Sequence, residues 1–361
     1  GVDAFDFFLT GSRNLPKVTF LNKQGRVTVE CQEGETLLQA GLRQGVPLPY
    51  GCGAGVCSTC VARARPGTVE ACWPEAPGAQ NLKRDKGECL LCQSRIVEDC
   101  EILVPGKIDL SNSFTDTPTH HRARMHDVAM VAPDVATFQL SLEEGTDYLA
   151  GQYFLVRMAG MQGYRPYSMT DFQRQAQMLN FVIKRVPDGQ FSEQLFSAGA
   201  PEEMVDVFGP MGFATFDSSE ARDLVCLVGG SGIAGIMSVL DQAVAIDHFQ
   251  RHKLFMVFGV RQREDFFFLE ELRRVRDSAP DNVSIHLAVS EEDSARDVSD
   301  QIDGLDMHQG FVHEVAERWG EGAFENRLAF LGGPPAMLTG SLALMLGAGV
   351  PVSDIRYDPF G

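Results

Sequence analysis

Cys52, Cys57 and Cys60 lie in the run YGCGAGVCSTC, a C-x4-C-x2-C pattern, and further cysteines follow at Cys89, Cys92 and Cys100. Thiolates at that spacing, completed by one more from a distant segment, are the donor set of a 2Fe-2S cluster. Both irons need sulfur ligands at close range, so one tight loop supplies three. Gly51, Gly53 and Gly55 alternate with the cysteines, which lets the backbone wrap the cluster and aim N–H groups at its sulfurs. Zinc ribbons repeat C-x2-C twice, and Cys52 to Cys57 is too wide for that. Nine cysteines cannot all pair as disulfides, and a Rieske centre would need two histidine ligands that this segment lacks.

A second constellation is Arg165-Pro166-Tyr167-Ser168-Met169-Thr170, followed by Ile183-Lys184-Arg185-Val186-Pro187-Asp188-Gly189-Gln190-Phe191-Ser192 and by Gly209-Pro210-Met211-Gly212-Phe213. A flavin suits these residue types. A tyrosine ring lies on the isoalloxazine, a serine hydroxyl reaches its N5, and an arginine holds phosphate. Gly189 and Ser192 at the start of a predicted helix supply N–H groups to a pyrophosphate. RxYS alone recurs by chance, and a surface turn is its bland reading. A third constellation is Gly229-Gly230-Ser231-Gly232-Ile233-Ala234-Gly235, with Gly332-Gly333-Pro334-Pro335-Ala336-Met337 far downstream. Each follows an apolar strand. Two such loops beside one sheet make a dinucleotide cleft, although GGSG is not the GxGxxG fingerprint.

The elements that must position these groups follow from periodicity. Lys17–Phe20 and Val27–Cys31 read as a hairpin, Thr36 to Gln44 as a helix stopped by Gly45, and Thr59–Ala64 and Cys92–Val97 as strands. Together they make a β-grasp (α+β) domain over 17–105, after an N-terminal extension at 1–16. Residues 106–122 break periodicity and read as a linker, with His120 and His121 as solvated linker side chains. Alternating strands over 123–222 (Asp127–Val131, Thr137–Leu142, Gln152–Arg157, Asn180–Arg185, Glu203–Phe208) predict an antiparallel β-barrel. Residues 223–361 alternate strand and helix, predicting an α/β doubly wound parallel sheet with ligands at the carboxyl ends of its strands.

Composition excludes some classes. The net charge of −18 argues against a nucleic-acid partner. The acidity is uneven: residues 1–105 carry 11 Lys+Arg against 12 Asp+Glu, and the remainder 20 against 37. No apolar run reaches membrane-spanning length, and FDFFL near the start is too short for a signal sequence. A reducing, cytoplasmic setting is the expectation.

From about residue 17 onward, the cysteines, RPYS, KRVPDGQFS, GGSGIAG, GVRQRED, LGGPPAM and the terminal YDPF together resemble one family. They are similar to the reductase components of bacterial oxygenases, in the ferredoxin–NAD(P)H reductase superfamily with an N-terminal plant-type ferredoxin domain. The reductases of benzoate and toluate dioxygenases share the domain order, and soluble methane monooxygenase reductase is similar too. The resemblance implies Cys92, in LLCQS, as the fourth cluster ligand beside Cys52, Cys57 and Cys60. It implies that Arg165, Tyr167 and Ser168 cradle FAD, with Ser168 near N5, and that Lys184, Gly189 and Ser192 serve its phosphates. Gly230 and Gly232 would line the nicotinamide site, with Gly333 and Pro334 opposite. Arg261 and Asp265 would lie on the adenosine side, and Phe360 against the flavin ring with Asp358 beside it. Three positions depart from the family pattern: Gly235 for Pro, Gly332 for Cys, and Asp358 for Glu.

Electron counting orders the cofactors. A nicotinamide gives two electrons as hydride, a 2Fe-2S cluster takes one, and a flavin handles both. The expected route therefore runs from NADH through FAD and the cluster to a terminal oxygenase, with a Rieske non-haem iron enzyme as the first expectation. Glu264 and Asp265 disfavour a 2′-phosphate and so favour NADH, whereas Arg261 and Arg263 keep NADPH open. FAD rather than FMN rests on domain order. The alternatives are a P450, a diiron monooxygenase or a deoxysugar dehydrase as acceptor, or a flavin reductase carrying a sensory cluster.

Overall fold

In the computed structural model, which describes residues 15–65, 68–110, 112–197, 203–291, 300–320 and 324–360, the first alternating run is β1 (Lys17–Leu21), paired antiparallel to β2 (Arg26–Glu30). Val18 and Phe20 point into a core while Thr19 faces Thr28 across the pair, their hydroxyls 2.8 Å apart. Helix α1 (Leu37–Arg43) starts at a capping box, Thr36 with Gln39, and the chain turns away at Gly45, where φ is +76°. Strands β3 (Val61–Ala64), β4 (Val69–Ala71), β5 (Glu88–Leu90), β6 (Ser94–Ile96) and β7 (Cys100–Leu103) follow. The sheet order is β2-β1-β7-β3-β5, with β1 and β7 parallel and the other pairs antiparallel; β4 and β6 form a separate ribbon. This is the expected β-grasp. Two boundaries differ from the sequence reading. β3 begins at Val61, and Cys92 sits in a single 3-10 turn (Leu91–Gln93) ahead of β6. Leu91 N–H donates to Cys60 O at 3.0 Å, which curls the chain there instead of extending it. The expected extension at 1–16, with FDFFL, lies outside the described residues except for its last two.

Residues 50–59 group with those from 117 on in a second unit. Strands β8 (Thr119–Ala132), β9 (Val135–Thr146), β10 (Tyr153–Arg157), β11 (Arg165–Ser168), β12 (Ala176–Lys184) and β13 (Glu203–Met211) form an antiparallel sheet in the order β11-β10-β13-β8-β9-β12. A bridge between Met169 and Phe181 links its two edges, so the sheet curls into a barrel around Phe138, Phe154, Phe181 and Phe191. Helix α2 (Gln190–Phe196) follows β12. The expected linker is shorter than its 106–122 span: β8 starts at Thr119. His120 and His121 are therefore strand residues, paired with Phe208 and Val207, and not linker side chains. The polar composition of that stretch reflects a strand exposed on one side.

The rest is a sheet in the order β17-β18-β16-β15-β14-β19-β20. It comprises β14 (Leu224–Gly229), β15 (Leu254–Val260), β16 (Val283–Val289), β17 (Asp300–Ile302), β18 (Leu305–Gln309), β19 (Leu328–Gly332) and β20 (Ile355–Arg356), parallel except for the edge strand β17. Helices α3 (Ala234–Ala245) and α4 (Leu269–Ser278) pack on one face through Val239, Leu240 and Leu272. Helices α5 (Val312–Trp319) and α6 (Pro335–Gly347) cover the other through Val315, Leu338 and Met345. The doubly wound expectation holds, with α6, β17, β18 and β20 added to it. Strand order reverses between β14 and β19, and a ligand crevice opens at such a switch point.

Candidate functional site

The cysteine loop carries its own donors. Cys52 Sγ accepts N–H groups from Ala54, Val56 and Cys57 at 3.4 Å each, and Cys57 Sγ accepts Cys52 N–H at 3.3 Å. Gly53 (φ +64°) and Gly55 (φ +84°) supply the left-handed turns that gather these amides. The Cys52 thiol donates to Cys57 and lowers the Cys57 pKa to about 5, while the same bond and burial raise that of Cys52. The other expected ligands form a second pair, Cys60 Sγ to Cys92 Sγ at 3.3 Å, and Gln93 Nε2 donates to Cys92 Sγ at 3.8 Å. Among the described residues no three His, Cys, Asp or Glu side chains converge on one ion. Thiols grouped in twos suit a cluster of two irons, each needing two protein sulfurs. Burial pushes the Cys89 thiol up to about 11, and Ser94 hydrogen-bonds it.

Beneath the Tyr50–Thr59 loop lies a ledge made by β10, β13 and the chain end. The Tyr153 hydroxyl, on a fully buried side chain, donates to Gly51 O at 2.5 Å. Gly212 N–H donates to the Tyr50 hydroxyl at 3.3 Å, and the Tyr50 and Phe213 rings lie 4.7 Å apart. A Cβ on Gly53 would sit 3.0 Å from Met211 Cε and 3.3 Å from Leu155; one on Gly51 would sit 2.6 Å from Pro359. Phe360 meets the Tyr153 ring edge to face, centroids 4.9 Å apart at 89°. Asp358 accepts Phe213 N–H at 3.1 Å, and burial raises its carboxyl to about 6. The loop, Asp358 and Phe360 thus share one ledge. Tyr153 was not legible in the sequence, because a tyrosine in an apolar strand reads as core.

Arg165, Tyr167 and Ser168 stand side by side on β11, all half-exposed in a barrel that otherwise buries its inner residues. Tyr167 rests on Phe138 (5.8 Å, 87°) and Phe191 (4.8 Å), and burial raises its hydroxyl pKa. Arg165 donates to Gln162 O at 3.1 Å and Tyr164 O at 3.0 Å, which orients its guanidinium. Ser168 lies directly across the strand pair from Tyr153. Lys184 ends β12, and Gly189 begins α2. The Ser192 hydroxyl accepts Val186 N–H and donates to Val186 O, both at 3.0 Å, so it locks the Val186–Gly189 turn at the start of α2. An aromatic platform, a hydroxyl and a guanidinium on one open strand fit a flavin.

At the switch point the two glycine loops touch. A Cβ on Gly232 would lie 2.3 Å from Gly333 N, and one on Gly332 would lie 2.2 Å from Gly232 O. Gly230 (φ +52°) has open space beside it, and Pro334 leads into α6. Gly235 is closely packed: its Cβ position is 3.3 Å from Ser168 Oγ and from Gly151 O, and Ser238 Oγ ties Gly235 O at 2.8 Å. The first turn of α3 therefore rests on Ser168. This crevice of bare backbone, open at Gly230, fits a dinucleotide. At the end of β15, Arg261 faces Glu291 at 3.7 Å, and Asp265 accepts Gln262 N–H at 3.1 Å. Glu291 was missed because it follows a different strand, β16.

The sequence matches three family profiles: a 2Fe-2S iron-sulfur cluster binding domain over 20–97, an oxidoreductase FAD-binding domain over 122–216, and an oxidoreductase NAD-binding domain over 226–342. It is 30% identical over 332 residues to the ferredoxin–NAD(+) reductase component of the alkene monooxygenase system of Xanthobacter autotrophicus, covering 91% of this chain and 97% of that one. It is 28% identical over 345 residues to the ferredoxin–NAD(P)(+) reductase CarAd of Metapseudomonas resinovorans, covering 94% and 99%. The solved ferredoxin reductase in carbazole 1,9a-dioxygenase superposes with a TM-score of 0.79 at 27% identity, covering 96% of this chain and 98% of that one. An Amycolatopsis cytochrome P450 reductase gives 0.74 at 25%, with the same coverage.

Proposed function

This chain belongs to the ferredoxin–NAD(P)+ reductase components of oxygenase systems, and from that premise we propose NADH as its electron donor and a ring-hydroxylating dioxygenase as its acceptor. It is an oxidoreductase with 2Fe-2S, FAD and NAD(P) domains that passes electrons to a terminal oxygenase. Bound flavin supplies the conversion of a two-electron donation into the single electrons that a 2Fe-2S cluster accepts. Cys52 with Cys57 would hold one iron, and Cys60 with Cys92 the other. Tyr167 would carry the flavin ring, Ser168 would face its N5 edge, and Arg165, with Lys184 and the Gly189 turn, would hold its phosphates. The backbone of Gly230, Gly232, Gly333 and Pro334 would admit the dinucleotide, and the first turn of α3 would bring it over Ser168. Asp358, with a pKa of about 6, would hold or release a proton near neutrality beside Phe360.

NADH over NADPH is supported by Glu291, which faces Arg261, one of the two basic groups at the end of β15 that a 2′-phosphate could use, with Glu264 next to the other, Arg263, in the chain. The dioxygenase acceptor is supported by the end-to-end match to the carbazole 1,9a-dioxygenase reductase. The alkene monooxygenase and P450 relatives make a monooxygenase the second reading. No helix among the described residues is long and apolar enough to cross a membrane.

The observation that carries the electron-relay reading is the cysteine loop seated on the same ledge as Asp358 and Phe360. Anaerobic titration with NADH, followed by absorbance and low-temperature EPR, tests it. Flavin bleaching with a rhombic reduced-cluster signal is expected. Flavin bleaching with a silent cluster would leave a flavin reductase with a sensory module. Parallel kcat/KM values for NADH and NADPH test the donor, with NADPH the poorer substrate.

A further inference from the structure

Tyr153 occupies a position that no cofactor motif assigns. Its backbone pairs with Ser168 across β10 and β11. Its ring is wholly buried and lies against Phe360 at 4.9 Å. Its hydroxyl ends on Gly51 O at 2.5 Å, one residue before Cys52. A single side chain therefore spans from β10, the strand paired with the one read as the flavin's seat, to the chain that carries the first cluster thiol. Buried tyrosine hydroxyls must find a partner, and the partner here is the cluster loop's own backbone. Gly51 and Gly212 keep this contact clear: a Cβ on Gly51 would strike Pro359 at 2.6 Å, and one on Gly212 would come within 2.9 Å of the Tyr153 ring.

We propose that Tyr153 is the positioning residue that couples the cluster loop to the flavin-binding strand, holding Gly51 and Cys52 at a fixed separation from Ser168 through one buried hydrogen bond. The inference rests on the electron-relay reading above. In the step it serves, one electron leaves the bound flavin and one arrives at the cluster. The Tyr153 O–H is neither oxidised nor deprotonated, and no bond forms or breaks. Its work is geometric, setting the length and stiffness of the path between the two groups.

The test uses the cofactor-loaded protein and Tyr153→Phe, which keeps the ring and removes only the hydroxyl. Stopped-flow absorbance follows flavin bleaching by NADH, and rapid-freeze EPR follows reduction of the cluster. Flavin bleaching should match the unaltered protein, while cluster reduction slows about tenfold, the scale of losing one buried hydrogen bond. The midpoint potentials of both groups, measured by spectroelectrochemistry, should stay where they were. Cluster reduction within twofold of the unaltered protein would overturn the proposal, as would a slowing wholly accounted for by a shifted cluster potential. Hydrogen–deuterium exchange of the unaltered protein supplies a second reading if Tyr153→Phe loads iron poorly. Residues 50–54 should be protected together with β10, and exchange at the rate of a free loop would also overturn it. If the unaltered protein shows no cluster signal with NADH, the relay reading itself fails, a result distinct from either outcome for Tyr153.

Discussion

Replacing Gly332 by alanine puts the dinucleotide crevice to a direct test. The new Cβ would lie 2.2 Å from Gly232 O, against the 3.4 Å at which ordinary contact begins, so the backbone loops must part by about 1 Å. Neither loop has a flexible side chain to give way, because the obstructing atoms are main chain on both sides: Gly232 O, C and Cα facing Gly332, and Gly333 N and Gly332 C facing Gly232. Overpacking of this kind costs roughly 1–3 kcal/mol, and a misplacement of about 1 Å at a reacting centre costs about 100-fold in rate. Gly332→Ala should therefore lower the rate of flavin bleaching by NADH by about two orders of magnitude. Flavin content and the dithionite-reduced cluster spectrum should stay unchanged, since β11 and the cysteine loop are untouched. Gly232→Ala should do the same. The two should not add, because one wedge opens the space the other needs. Stopped-flow bleaching, isothermal titration of NAD+ and urea denaturation make up the assay. A Gly332→Ala protein with unchanged NAD+ affinity and bleaching rate would show that the close approach of the loops plays no part in binding.

Three further outcomes follow from side-chain geometry. Cys92→Ser should destroy or broaden the reduced-cluster EPR signal, whereas Cys89→Ser, whose thiol is turned toward Ser94, should leave iron content and spectrum intact. Arg43→Met removes both guanidinium hydrogen bonds to Glu35, at 2.7 and 2.9 Å, and leaves a carboxylate whose side chain is 1% exposed without its counter-charge, though still bonded by Gln32 N–H; it should destabilise the β-grasp unit by about 3 kcal/mol in urea denaturation. Asp358, with its pKa raised from 3.8 to about 6 chiefly by burial, contributes stability that is fully present below the unfolded value and lost as pH rises through about 6. Asp358→Asn should therefore gain stability relative to the unaltered protein between pH 4 and pH 8, by about 2–3 kcal/mol, and a difference constant across that range would refute the buried-acid reading.

Much of the architecture was legible because local rules and the global fold agree. Thr36 and Gly45 mark the ends of α1, and the alternation at Lys17–Phe20 marks a one-sided strand. The apolar runs read as strands at 223–228 and Leu254–Val260 are strands buried on both faces. Where tertiary pairing overrode composition, the reading slipped. His120 and His121 look like linker but pair with β13.

The amino-acid sequence by itself determined which chemistry is available here. Thiol spacing specifies a cluster, RPYS an open polar strand, and glycines after apolar strands a place where backbone meets phosphate, because each depends on residues close together along the chain. Only the tertiary structure decided how those stations connect. The pairing of Cys60 with Cys92, the contact of Gly232 with Gly332, the partner of Arg261 in Glu291, and the reach of Tyr153 from beside Ser168 to Gly51 all join residues far apart in sequence. Strand order and register set such contacts, and no local pattern encodes them.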